Sequence, residues 1–222
     1  MEVLRIEGLC KRYPAFALEN VSFSMQPGTI MGLIGRNGAG KITLLGMDMD
    51  AQELAIRKKL GYVSGTAGYY PKKRLRQLAD VTRAFYPDWD ETAYQDCLRR
   101  FSLDENKRVS ELSEGMKVKF QLALALSHGA KLLILDEPSS GLDPVSRAEL
   151  KDIFRQLAAK GAAILFSTHI TTDLLDCADD ITYIQKGHIV ASKPMADFLA
   201  DYPDCDSLED IMVRLEKEDI TL

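Results

Sequence analysis

The chain has 222 residues, of which 46% are hydrophobic, and its formal net charge at pH 7 is −5. This composition permits a sizeable core and argues against intrinsic disorder, while the negative charge argues against a nucleic-acid partner, whose binding surfaces are usually basic. The four cysteines are widely separated and form no CxxC pair, so we expect reduced thiols and no cysteine metal site.

The sequence contains no run of about 20 apolar residues, which is the length that a membrane-spanning helix needs. The first nine residues include Glu2, Arg5 and Glu7, so they lack the apolar stretch of a secretory signal. We therefore expect a cytoplasmic protein that acts at a membrane only through a partner.

Short apolar runs alternate with helical patterns along the chain, which predicts an α/β protein. Residues 3–6 and 21–25 show the alternation of half-buried strands, and residues 29–34 form an apolar run typical of a buried strand. Further strands are expected, in chain order, at residues 132–135, 162–167, 181–185 and 188–191.

The middle of the chain has an almost wholly helical pattern over residues 73–127. Pro87 interrupts this pattern, and Asp90 is expected to cap the next helix. The tail at residues 207–218 predicts a charged amphipathic helix. We expect a single domain over residues 1–222, in which the helical segment is an insertion within an α/β core.

A glycine-rich turn follows the buried strand at residues 29–34 and predicts a phosphate-binding loop. Glycines let successive backbone N–H groups point at phosphates, and a helix expected at Leu44 and Leu45 would add the positive end of its dipole. A lysine at the end of the turn would reach the β- and γ-phosphates. The residues of this predicted loop are Gly35, Arg36, Asn37, Gly38, Ala39, Gly40 and Lys41.

Two acidic residues end the buried strand predicted at residues 132–135. Asp136 fits the role of holding Mg²⁺ through water, and Glu137 fits that of polarising an attacking water molecule. Because many strands end in acids, the pattern is weak alone, but it gains weight from the phosphate loop that precedes it.

Four further motifs stand in an order that resembles the ATP-binding subunits of ABC transporters. Residues 112–116, with the sequence LSEGM, resemble the ABC signature, usually written LSGGQ, and residues 138–144 resemble the D-loop of that family. His169 resembles the switch histidine, and Tyr13 occupies the place of the aromatic residue that stacks on adenine. The resemblance covers essentially the whole chain and is nearest to the bacterial exporter type.

The resemblance implies a P-loop NTPase core with an antiparallel β subdomain and a helical insertion. It implies an ATPase that uses ATP and Mg²⁺, powers a separate transmembrane permease, and lies on the inner face of the cell membrane through that partner. It also implies a head-to-tail homodimer or ABC heterodimer, in which ATP bound at residues 35–43 of one copy is completed by Ser113 and Gly115 of the other. Glu137 and His169 would be catalytic residues.

Three departures from the family pattern affect this interpretation. Lys41 is followed by Ile42, which has no oxygen for Mg²⁺, whereas the family has Ser or Thr there; Thr43 stands where the family has a phosphate-binding Thr. Only 23 positions separate Lys41 from Ser64, which leaves barely one turn for the expected helix. Gly65 stands where the family has the Q-loop glutamine.

Two other functions remain open at this point. Ile42 and the short segment favour a module that binds ATP and dimerises but hydrolyses ATP poorly, whereas Glu137 and His169 favour an active ATPase. A soluble ABC protein of DNA repair or translation is less consistent with the chain, because such proteins usually carry paired cassettes or long coiled-coil insertions.

Overall fold

The computed structural model of the chain describes residues 1–13, 16–34, 41–64 and 70–218. Within these ranges the strands are β1 (Leu4–Tyr13), β2 (Phe16–Met25), β3 (Ile30–Ile34), β4 (Lys41–Leu44), β5 (Met47–Asp48), β6 (Leu60–Ser64), β7 (Leu132–Asp136), β8 (Ala163–Ser167), β9 (Asp180–Gln185) and β10 (His188–Pro194). The helices are α1 (Met49–Arg57), α2 (Leu75–Phe85), α3 (Glu91–Arg100), α4 (Glu114–Ser127), α5 (Pro144–Ala159), α6 (Thr171–Cys177), α7 (Met195–Ala200) and α8 (Leu208–Glu218), with a 3-10 helix at Val109–Glu111.

A six-stranded sheet has the order β10-β9-β3-β8-β7-β6. Its strands are parallel except for the antiparallel β9–β10 hairpin at the edge. The strands predicted around residues 29–34, 132–135, 162–167, 181–185 and 188–191 are therefore confirmed, as is the α/β class. Since β6, β7 and β8 are parallel neighbours, residues at their carboxyl ends meet at one edge of this sheet.

A second, antiparallel sheet has the order β2-β1-β4-β5. The two early strands predicted at residues 3–6 and 21–25 are confirmed within β1 and β2, which are longer than expected, at ten residues each. The second sheet is completed by strands from an unexpected place, because β4 and β5 come from the segment directly after the glycine-rich turn.

The helix predicted at Leu44 and Leu45 is wrong, because this segment is a β-hairpin. In β4, Ile42 and Leu44 pair with Ile6 and Leu4 of β1, respectively. Leu45 and Gly46 both have positive φ, at 51° and 77°, which is the geometry of a tight two-residue turn. The alternation of Ile42 and Leu44 about a polar residue is a strand pattern, so the hairpin satisfies the local sequence better than a one-turn helix would.

The predicted helical segment at residues 73–127 contains α2, α3 and α4. Asp90 caps α3, as predicted, by accepting a hydrogen bond from the Ala93 N–H at 2.9 Å. Helix α4 is the central element of this region because it packs against α2, α3, α5 and β6. It therefore connects the helical region to the six-stranded sheet.

Two apolar clusters form the core on opposite faces of the six-stranded sheet. One joins the sheet to α4, α5 and α6, and the other lies between the sheet and the antiparallel strands. The second cluster includes the buried Leu4, Met25, Leu44 and Leu165, and Ile42 packs against it. Burial of each such side chain contributes about 1.5–3 kcal/mol, so the hairpin of β4 and β5 is part of the core.

Candidate functional site

Asp136 is the last residue of β7, and both of its carboxylate oxygens are hydrogen-bonded. One accepts a hydrogen bond from the Ser167 hydroxyl of β8 at 2.8 Å, and the other accepts one from the Tyr62 hydroxyl of β6 at 3.3 Å. Burial, reinforced by the nearby Asp136 charge, raises the pKa of Tyr62, so its hydroxyl keeps the proton that it donates. The two neighbouring strands thus fix the orientation of this carboxylate.

Glu137 follows Asp136 in a left-handed backbone conformation, with φ of 48°. Its N–H donates to the Ser167 carbonyl at 3.1 Å, which ties the turn to β8. Its Oε2 lies 2.9 Å from Nδ1 of His169, and the two side chains are 32% and 73% exposed. A carboxylate that is in contact with an imidazole and still open to solvent can hold and polarise a water molecule.

His169 lies between β8 and α6, just beyond the carboxyl end of β8. Because β7 and β8 are paired in parallel with Asp136 opposite Ser167, the residues that follow each strand are neighbours. The structure therefore brings Asp136, Glu137 and His169 together, as the sequence predicts for residues of one site. Their catalytic and metal-binding roles remain predictions.

Ser113 and Gly115 lie at the amino end of α4. The Ser113 hydroxyl caps the helix by accepting from the Met116 N–H at 3.3 Å. A Cβ on Gly115 would lie 3.4 Å from Cβ of Ser146, so a side chain there would crowd the first turn of α5. Asp143 caps α5 and also accepts from the Ser146 hydroxyl at 2.6 Å. The predicted signature and D-loop segments are thus packed side by side.

Several predicted site residues lie outside what the structure describes. This is the case for Gly35, Arg36, Asn37, Gly38, Ala39, Gly40 and Gly65, and for the side chains of Tyr13 and Lys41. Ile42 and Thr43 are described, and both belong to β4. Ile42 has a structural explanation there, since its side chain packs against the core between the two sheets.

The described residues do not fit a complete magnesium site. Asp136 offers a carboxylate, but Ile42 packs against apolar side chains and has no hydroxyl. Among the residues that the structure describes, no group of three or more His, Cys, Asp or Glu side chains could hold a metal ion. Because Mg²⁺ prefers six oxygen ligands in octahedral geometry, the Asp136 carboxylate without a hydroxyl ligand at position 42 holds it poorly.

Three side chains that support this edge of the sheet were not predicted from the sequence. Ser167 and Tyr62 hold Asp136, and buried Gln121 of α4 holds the end of β6. The Gln121 side chain accepts from the Ser64 N–H at 2.9 Å and donates to the Ser64 carbonyl at 3.0 Å. A polar residue within an apolar helical pattern is the signal that could have revealed Gln121.

Comparisons with known proteins agree with this geometry. A family model described as ABC transporter matches residues 18–140. The chain is 33% identical over 205 residues to the uncharacterized ABC transporter ATP-binding protein YhaQ of Bacillus subtilis, covering 83% of this chain and 69% of that protein. It is 32% identical over 211 residues to the Nod factor export ATP-binding protein I of Rhizobium etli, covering 85% and 67%.

Similarity extends along the whole chain in two further comparisons. The lantibiotic transport ATP-binding protein SrtF of Streptococcus pyogenes is 28% identical over 229 residues, covering 94% of this chain and 95% of that protein. A solved structure of the ATP-binding subunit of an ABC transporter superposes with a TM-score of 0.84 at 26% identity, covering 96% of this chain and 99% of that one. The SrtF alignment is longer than the 222 residues of this chain, so SrtF has residues without a counterpart here.

Proposed function

Since this chain belongs to the ABC transporter family and is an ATP-binding subunit that energises a transporter, we propose that it acts as one half of a dimer docked on a separate transmembrane permease. The observation that carries the proposal is the contact of Glu137 with His169 beside Asp136, at the carboxyl ends of two parallel strands. It supports ATP hydrolysis that drives a conformational change in the permease.

Glu137 and His169 are proposed to act on the attacking water wherever the phosphate loop beside them holds ATP and Mg²⁺. ATP supplies the phosphoryl group when it is bound. Glu137 accepts a hydrogen bond from the water and increases its nucleophilicity, while Nδ1 of His169 holds Oε2 in place. The left-handed backbone at Glu137, tied to β8 through Ser167, fixes where this carboxylate starts.

The dimer is proposed to be head to tail. Ser113 is exposed at the amino end of the 14-residue helix α4, where backbone N–H groups and the helix dipole favour an anion. In this arrangement Ser113 and Gly115 of one subunit complete the nucleotide site of the other. The nearby Asp143 of the D-loop segment and Ser146 of α5 would lie at the same interface.

The permease is proposed to dock on the groove between α1 and α2. This groove has a volume of about 560 Å³, and apolar side chains at its rim are exposed, including Leu54, Val81 and Phe85. Exposed apolar surface at a concave site is typical of a protein interface. The groove lies beside β6, so a segment of the permease bound here would also contact the strand that ends opposite Asp136.

The proposed place of the protein is the inner face of the cell membrane, held there by the permease. In the part of the chain that the structure describes, no helix is both long enough and apolar enough to cross a bilayer. The groove would therefore carry the membrane association.

Purification of the tagged chain from detergent-solubilised membranes of its native cell tests this proposal. We expect a polytopic membrane protein to copurify with the chain, and Phe85→Asp to reduce its recovery at least tenfold, because a charge would be buried in the apolar contact. Val190→Asp is the matched control, since Val190 is also exposed but lies on β10, away from the groove. Recovery with ribosomes, or equal recovery of both variants with the membrane protein, would contradict the proposal.

A further inference from the structure

The two halves of the proposed nucleotide site are not equally complete in this chain. The half that faces a partner is formed: Ser113 caps α4, Gly115 packs closely on α5, and Asp143 caps α5. The half that binds phosphate is incomplete. In a phosphate-loop protein a helix begins directly after the loop, but here Lys41 begins the strand β4.

The strand after the loop is fixed by long-range pairing. Four consecutive residues of β4 pair with β1, from Lys41 opposite Glu7 to Leu44 opposite Leu4. Leu44 is 1% exposed. The pairing with β1 continues one residue beyond β4, because the Leu45 N–H donates a hydrogen bond of 2.7 Å to the Val3 carbonyl. Turning residues 42–45 into a helix would break this register and remove Leu44 from the core.

A phosphate loop without its helix loses two contributions to nucleotide binding. The free N–H groups of a helix's first turn and the positive end of its dipole both favour a phosphate. The hydroxyl that would ligate Mg²⁺ is also missing, because Ile42 faces the apolar core on the same side of β4 as Leu44. This half therefore does not fit ATP with Mg²⁺ as the family requires.

We propose that the physiological partner of this chain is a second, different ABC ATP-binding subunit whose phosphate loop opens a helix. The productive nucleotide site is then formed by the loop of that partner and by Ser113 and Gly115 of this chain. The proposal rests on the head-to-tail dimer of the proposed function and names its second member. A homodimer would contain two sites that each lack the helix, whereas the heterodimer contains one complete site.

Complementation between two versions of this chain tests the proposal. The helix-restored variant carries, between Lys41 and Ile42, a serine followed by a designed helix of about three turns and a polar return turn. A Gly/Ser-rich insertion of equal length is its matched control. Ser113→Asp blocks the signature half, because Asp still caps α4 but repels phosphate, and Ser113→Asn is the uncharged control for the cap.

We expect no Mg²⁺-ATP turnover above the Glu137→Gln background from the natural chain alone. The helix-restored variant carrying Ser113→Asp should also be inactive alone. An equimolar mixture of these two chains should hydrolyse ATP at least tenfold faster than either, because the restored loop of one meets the intact signature of the other. The mixture should lose this turnover when the natural chain also carries Ser113→Asp, and Ser113→Asn in its place should cause a smaller loss. A mixture in which the Gly/Ser-rich insertion replaces the designed helix should stay inactive.

Turnover by the natural chain alone that disappears in Glu137→Gln would overturn the inference. It would leave the proposed function intact, and this arm of the test does not depend on the folding of any designed insertion. A mixture of two folded chains that stays inactive would also overturn the inference, and copurification with the membrane protein then decides separately whether the proposed function stands.

Discussion

Two segments of the chain flank the proposed nucleotide site, and different forces place them. Asp136 ends β7 and accepts a hydrogen bond from the Ser167 hydroxyl of β8, and the N–H of the next residue, Glu137, donates to the Ser167 carbonyl. The parallel sheet therefore positions both acidic residues. Residues 41–48 are held by pairing with β1 and by burial of Leu44 in the other core cluster. A glycine-rich loop motif therefore does not dictate the structure of the next segment, because sheet pairing and burial outweigh the local preference.

The largest expected effect is the loss of turnover on substitution of Glu137, in the segment that the parallel sheet positions. In the helix-restored variant with an intact signature, Glu137→Gln should lower turnover at least a hundredfold, since a positioned general base contributes about 10²–10⁴-fold. ATP binding should persist, so that the variant accumulates as a dimer on size exclusion with ATP. Turnover at the parent rate would remove Glu137 from the mechanism.

In the mixed pair, the same substitution should depend on which chain carries it. Glu137→Gln in the helix-restored chain should abolish turnover, while Glu137→Gln in the natural chain should change it less than twofold, since the natural chain supplies only its signature half. Equal losses from the two placements would show that both sites hydrolyse ATP, and the contrast between the segments would lose its functional meaning.

The stability of the chain should depend on the side chains at residues 41–48 as expected for a strand that packs on the core. Leu44→Ala should lower the free energy of unfolding by about 2–5 kcal/mol, because it leaves a cavity in a buried contact. Ile42→Ser should also destabilise the chain and should not raise turnover, because the side chain packs on the core. Thr43→Ser, on the other face of β4, is the matched control and should be nearly neutral in urea unfolding. A rise in Mg²⁺-dependent turnover in Ile42→Ser would instead place residue 42 at the metal.

A smaller effect on stability is expected from Gln121, through which α4 holds the end of β6. Gln121→Leu should lower the free energy of unfolding by about 1–3 kcal/mol, because it removes the side chain that hydrogen-bonds both the buried N–H and the carbonyl of Ser64. Amide hydrogen exchange at Ser64 should accelerate relative to that of Leu133 on β7. Unchanged protection at Ser64 would mean that Gln121 does not hold the end of β6.

The smallest effect concerns the Tyr62 hydroxyl, which donates to Asp136 from a side chain that is only partly buried. Tyr62→Phe should change stability by less than about 1 kcal/mol at pH 7, in the range of a single hydrogen bond. Because the folded pKa of Tyr62 is raised above its ordinary value of 10.0, its contribution is present below that pH and is lost as pH rises through the folded pKa. The stability difference between wild type and Tyr62→Phe should therefore shrink above pH 10, which urea titrations at several pH values can measure.

The sequence was sufficient for the parts of the fold that rest on strong periodicity. The buried runs of β3, β7 and β8 and the Asp90 cap of α3 were all predicted, whereas Glu137 and His169 were assigned to one site only by the family resemblance. It was insufficient at residues 41–48, where the loop motif predicts a helix and only the alternation of Ile42 with Leu44 indicates a strand. That choice depends on pairing with β1, more than 30 positions earlier in the chain, and local patterns carry no information about such a contact.

The contacts between neighbouring elements that orient the functional groups could not be predicted from the sequence either. Ser167 is an ordinary strand-end serine in the sequence, and its role becomes visible only when β8 lies beside β7 with Ser167 opposite Asp136. The same holds for Gly115, whose close approach to Ser146 depends on how α4 and α5 pack.

The most direct test of the strand after the loop is the nuclear Overhauser effect pattern of residues 41–48 in the natural chain, measured with and without ATP. A strand predicts cross-strand contacts from Ile42 and Leu44 to Ile6 and Leu4, in the register of β4 with β1, and strong sequential Hα-to-amide contacts in both conditions. Sequential amide-to-amide contacts with Hα contacts three residues ahead would show a helix after the loop, and the strand assignment would then be wrong together with the need for a different partner subunit.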